Sequence, residues 1–149
     1  MKSIITSCLL ILFSFYIKAQ EQNPITWMAN YKAINSSEGI IVITANIANG
    51  WHMFSQKSTD AGPVPTSFIF QPSKQFQLIG NTEEIGAKEE FIKEFDATLF
   101  LFSSKAEFSQ KVKLLSKTGF NIKFKVEYMC CNDKMCLPPK TIELIIKTQ

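Results

Sequence analysis

From Phe120 to Tyr128 every second residue is apolar. Phe120, Ile122, Phe124, Val126 and Tyr128 alternate with Asn121, Lys123, Lys125 and Glu127. A period of two is that of an extended strand with one buried and one wetted face. The same signature recurs in shorter runs over Ile25 to Ile34, Gly39 to Asn49, Trp51 to Phe54 and Ser67 to Phe70. It continues over Phe76 to Ile79, Thr98 to Phe102, Ala106 to Leu114 and Thr141 to Lys147. No segment holds a helical period over three turns. Asn49-Gly50 is a turn signal between two of these runs. Many short strands separated by turn residues predict an all-β chain, an immunoglobulin-like antiparallel β-sandwich, with a closed barrel as the second choice.

Two segments resist this pattern. Glu83 to Phe95 contains Gly86 and separates its faces poorly, so a loop is expected there. Asp60-Ala61-Gly62-Pro63-Val64-Pro65 reads as a rigid loop with two X-Pro bonds, either of which could be cis.

The strand ending at Tyr128 runs directly into Met129-Cys130-Cys131-Asn132-Asp133-Lys134-Met135-Cys136-Leu137-Pro138-Pro139. What a cysteine means depends on its compartment. Met1 to Ala19 carries Lys2 and then an apolar run from Ile4 to Ile17, the layout of a secretory signal peptide. It is short for a membrane span. An uncleaved anchor is the alternative reading. Cleavage after Ala19 would remove Cys8, leave residues 20–149 as one domain, and lower the net charge from +3 to +1. Such a chain has no basic stripe for nucleic acid and no second apolar segment for a membrane. The three remaining cysteines lie in a disulfide-permissive setting and can form at most one internal bridge.

Strand parity places Cys130 on the core side with Tyr128 and turns Cys131 outward. A bulge at the strand end would exchange the two faces. Asn132 to Met135 can form a turn that sets Cys131 opposite Cys136, within disulfide reach. Cys130 then serves as a small buried hydrophobe. A bridge closing so short a loop contributes only about 2 kcal/mol by chain entropy. It is therefore a weak staple, but well placed for exchange chemistry. Lys134 and Lys140 favour a thiolate, while Asp133 and Glu127 oppose one. His52, the sole histidine, reads as a packing or hydrogen-bonding residue.

The segment Tyr128 to Pro139 resembles the active-site region of the N-terminal periplasmic domain of the thiol:disulfide interchange protein DsbD. Supporting similarity lies in Gly50-Trp51-His52-Met53-Phe54-Ser55, in Gly62-Pro63-Val64-Pro65-Thr66, and in Phe95-Asp96 ahead of Phe108-Ser109-Gln110-Lys111-Val112. The resemblance implies a periplasmic, immunoglobulin-like domain that relays reducing equivalents through Cys131 and Cys136. Cys136 would form the mixed disulfide with partners. Those partners would be thioredoxin-like: an electron donor on one side, and a disulfide isomerase or a reductant of cytochrome c maturation on the other. No cofactor is implied. The resemblance also implies a cap loop between Glu90 and Phe100, with Phe91, Phe95 and Asp96 as candidates. Trp51, Phe54 and Tyr128 are further shielding candidates, Tyr128 reading more simply as core.

This chain departs from the family in three ways. The loop between the cysteines is one residue shorter, and Cys130 replaces a glycine, so a third thiol could compete for the bridge. The sequence also lacks the membrane carrier and C-terminal thioredoxin domain of full-length DsbD, so the expectation is that electrons come from another polypeptide or that the chain is a relative with another substrate. Two other classes compete with the relay. Met129, Cys130, Cys131, Met135 and Cys136 offer soft ligands for Cu(I). A non-catalytic interaction domain would use its hairpin disulfide only as structure.

Overall fold

The computed structural model describes residues 23–57 and 62–148. The expected signal segment, Cys8 and the start of the Asp60 loop lie outside them. The alternating runs form strands β1 (Ile25–Ala33), β2 (Glu38–Ile47), β3 (Trp51–Phe54), β4 (Ser67–Phe70) and β5 (Phe76–Ile85). They are followed by β6 (Lys88–Ile92), a 3-10 turn (Lys93–Phe95), β7 (Ala97–Phe102) and β8 (Lys105–Leu114). The chain closes with β9 (Asn121–Tyr128), β10 (Cys130–Asn132) and β11 (Lys140–Lys147).

Glu83 to Phe95 is a correction to the sequence reading. Its first three residues extend β5, and β6 and the 3-10 turn take up most of the rest. The signal was faint because both strands are largely exposed and draw their order from pairing. Glu83 lies opposite Ser109 and Ile85 opposite Glu107, while Glu90 lies opposite Leu99. Gly86, at φ 98°, turns the chain between the two strands. The Gly62–Pro63 and Val64–Pro65 bonds are both trans.

Pairing is antiparallel throughout and produces three sheets, ordered β1-β2-β8-β5, β11-β9-β4 and β10-β3-β7-β6. The first two form the immunoglobulin-like sandwich. Ile41, Ile43 and Ala45 of β2 and Ala106, Phe108 and Val112 of β8 share one core with Ile122, Phe124, Val126 and Tyr128 of β9. The even-numbered residues of β9 are buried, as their period requires. Phe108 is an aromatic hub, with ring centroids 6.1 Å from Trp27, 4.8 Å from Phe68 and 5.5 Å from Phe102.

β5 changes register between Ile79 and Glu83. The buried Gln110 fills this irregularity. Its Nε2 donates to the carbonyls of Ile79 at 3.1 Å and Gly80 at 3.3 Å, and its Oε1 accepts from Thr82 Oγ1 at 2.9 Å. A buried amide is tolerable because its hydrogen-bonding groups are used.

The third sheet is small and has two different faces. Cys130, Met53 and Phe102 point into the main core, while Phe54, Leu99, Leu101 and Cys131 form a second apolar cluster on the opposite face. The change of sheet takes place at Met129, where the chain leaves β9 and begins to pair with β3.

Phe108→Ala should destabilise the fold by about 3–5 kcal/mol. Denaturant unfolding monitored by Trp fluorescence checks this, because Trp27 stacks on that ring.

Candidate redox site

Cys131 and Cys136 are joined by a disulfide with their Cα atoms 4.0 Å apart. The hairpin that brings them together is set by Asn132. Its side-chain Oδ1 accepts from the backbone N–H groups of Lys134 and Met135, both at 2.9 Å. Its own N–H donates to the Met135 carbonyl at 2.9 Å. A short polar side chain that bonds backbone two or three residues on is what makes Asn a turn former. Beyond Cys136, the Leu137 N–H donates to the Cys130 carbonyl at 3.0 Å. Pro138 and Pro139 then offer no N–H, and strand pairing resumes only at β11.

Parity sends Cys130 to the core as expected. Cys131 does turn to the other face, but the expectation that it meets solvent is corrected: it is 2% exposed. Leu99 and Leu101 of β7 cover it, with Phe54, and Ile92, Phe95 and Met129 pack around the edge. Cys136 is only half-buried. The disulfide thus joins a buried residue to a partly exposed one. A narrow cleft of about 70 Å³ borders it, lined by His52, Ile92, Phe95 and Lys134 among others.

The shielding candidates are dispersed. The Phe95 ring meets Phe54 edge-on at 5.9 Å, and both lie on the disulfide's face. Asp96 is exposed and left-handed at φ 48°, and its N–H donates to the Lys93 carbonyl at 3.2 Å, ending the 3-10 turn. Phe91 is 59% exposed and alternates away from Ile92, outside the cluster that holds Cys131. Trp51 and Tyr128 pack with the main core. The Tyr128 ring lies 5.2 Å from Trp27, and its hydroxyl donates to Asn23 Oδ1 at 3.4 Å.

Sequence reasoning missed Ile92 as part of the cover and undervalued His52. The ladder sets His52 directly across from Cys131. Only the long-range register of β3 on β10 reveals this.

Of the five soft ligands, Cys130 belongs to the main core, whereas Met129 and Cys136 pack with Cys131 in the opposite cluster and Met135 lines the cleft beside them. Among the described residues no group of three or more His, Cys, Asp or Glu side chains could hold a metal ion. Cys130 is the free thiol of the described cysteines. Burial pushes its pKa up from 9.0 to about 11, with Lys140 pulling the other way.

The thiol:disulfide interchange protein DsbD, N-terminal, family matches residues 22–147. The chain belongs to this family. Its fold is shared with the DsbD N-terminal domain of Neisseria meningitidis in the reduced form, at 16% identity and TM-score 0.53, over 80% of this chain and 84% of that one. The same domain in complex with the PilB N-terminal domain gives 15% identity and TM-score 0.52, over 80% of each chain. The N-terminal periplasmic domain of ScsB from Proteus mirabilis gives 12% identity and TM-score 0.57, over 81% of this chain and 44% of that one. No curated protein matches the sequence. Family membership makes this a thiol-disulfide interchange domain.

Asn132→Ala should loosen the turn, cost about 1–2 kcal/mol, and make the disulfide easier to reduce; denaturant titration and redox equilibration against glutathione measure both. The raised Cys130 pKa carries its own sign. Only the unfolded chain ionises this thiol near pH 9, so the contribution is intact below about 9 and is lost as pH climbs toward about 11. Cys130→Ala should flatten that alkaline loss in a series of melts from pH 8 to 11.

Proposed function

We propose that this domain relays reducing equivalents between thioredoxin-like proteins through Cys131 and Cys136. The observation that carries the reading is the asymmetry of the disulfide: Cys131 is 2% exposed, whereas Cys136 is half-buried and borders a cleft. Exchange needs one sulfur that an outside thiolate can reach and a second close by to resolve the mixed disulfide. Cys136 therefore takes the partner, and Cys131 resolves.

In the reducing direction, Cys136 thiolate attacks a client disulfide and one client sulfur leaves as thiolate. Cys131 then attacks Cys136, releasing the client as a dithiol and restoring the Cys131–Cys136 bond. A donor dithiol recharges the domain by the reverse steps. Phe95, Phe54 and Ile92 shield the pair between encounters, and an incoming partner displaces the cover. The complex of the Neisseria domain with the PilB N-terminal domain supports a protein partner for a domain of this fold.

The relay is placed in the periplasm, with residues 1–19 as a signal peptide and 20–149 as the exported domain. The periplasmic ScsB domain of the same fold supports this placement, and no helix among the described residues is long and apolar enough to cross a membrane. The donor is a separate or neighbouring thioredoxin-like domain. The client is a disulfide isomerase or a reductant of cytochrome c maturation.

Cys131→Ala should accumulate mixed disulfides at Cys136 in cell envelopes, resolved by non-reducing electrophoresis and mass spectrometry. Cys136→Ala should abolish them, and Cys130→Ala should leave the wild-type pattern. A reduction potential below about −300 mV, as structural bridges have, would count against the relay and favour a purely structural bridge.

A further inference from the structure

Resting on the relay reading, we infer that His52 is the proton donor and acceptor for Cys131 during exchange. The geometry begins with the ladder, in which His52 and Cys131 are directly paired residues of β3 and β10. Paired residues project from the same face of a sheet. Both side chains line the same cleft beside Cys136. The His52 Nε2 is shielded from solvent, and the ring stands edge-on to Phe54, 5.5 Å away.

The chemistry supplies the need. When a donor thiolate attacks Cys136 Sγ, a new S–S bond forms and the Cys131–Cys136 bond breaks. The electron pair of that bond leaves on Cys131 Sγ. That sulfur sits among Phe54, Leu99 and Leu101, where burial disfavours a thiolate. An imidazolium at His52 hands it a proton, leaving Cys131 as a neutral thiol and His52 as neutral imidazole. The donor's second thiolate then attacks the donor sulfur of the mixed disulfide and frees Cys136. In the opposite direction Cys131 must lose a proton before it can attack a mixed disulfide at Cys136, and neutral His52 accepts it. Imidazole changes charge between about pH 5 and 8, which suits both directions near neutrality.

Among the described residues, the charged groups that line the two clefts bordered by His52 are Glu90 of β6, Lys93 of the 3-10 turn, and Asp133 and Lys134 of the hairpin. Burial pushes the Cys130 thiol up to about 11, outside the window of imidazole.

The test is the rate of reduction of the wild-type disulfide by dithiothreitol from pH 5 to 8.5, expressed per concentration of attacking thiolate. The rate constant should fall as pH rises through the imidazole range. His52→Gln should be slower at pH 6 by about tenfold or more and show no such inflection. The converse step is read by loading reduced protein with one nitrothiobenzoate at Cys136. Its release by Cys131 should speed up with pH through the same range in wild type. The wild-type profiles stand without any variant, so a misfolded His52→Gln does not rescue the inference. Flat wild-type profiles, or equal rates in a folded His52→Gln protein, overturn the role of His52 and leave the relay standing. A wild-type disulfide that dithiothreitol fails to reduce at any pH overturns the relay itself.

Discussion

The structure depends on the pairing of β10 with β3. Three residue pairs, Cys130 with Met53, Cys131 with His52 and Asn132 with Trp51, fix which sulfur faces which way. A slip of one residue would exchange the faces of every side chain on that short strand. Cys131 would then enter the main core, and Cys130 would stand beside the cleft. The register is held by what lies on both sides: Met53 and Phe102 are locked into the large core, Phe54 and Leu101 into the small one. Because both faces are dry, a slip would disturb two apolar clusters at once.

This double-faced sheet reconciles stability with chemistry. The sandwich buries its own aromatics and does not need the disulfide for cohesion. The bridge closes only a short local loop, so opening it releases little chain entropy. The hairpin keeps its turn through Asn132 and its base through the Leu137 to Cys130 hydrogen bond. Under the proposed relay, opening the bridge would leave these hairpin hydrogen bonds in place.

Much of this was legible in the sequence, and the exceptions have a common cause. The period of two in β9 identified its buried face residue by residue, and the same parity carried Cys130 inward. Asn132 announced the turn. The failures lie where order comes from distant chain. β6 carries almost no apolar pattern of its own, because it is an exposed edge strand held by β7. The cover over Cys131 is built from Leu99, Leu101 and Ile92, which no local rule connects to a cysteine thirty or more positions away. His52 looked like packing because its neighbour across the ladder is invisible until β3 and β10 are aligned. Phe91 and Phe95 are near in sequence, yet only Phe95 packs around Cys131; strand alternation on β6 and the 3-10 turn separate them.

The remaining thiol has a consequence for fidelity. Among the described residues a third cysteine stands beside the bridged pair, which invites scrambling, in which the wrong two sulfurs join and trap the domain. Here the spare sulfur is silenced by its surroundings rather than by distance along the chain. With its pKa pushed up to about 11 and a place in the main core, Cys130 stays a protonated, weakly nucleophilic thiol at neutral pH. It stands next to the Cys131–Cys136 bridge in the protonated form, which is not the attacking species in thiol exchange.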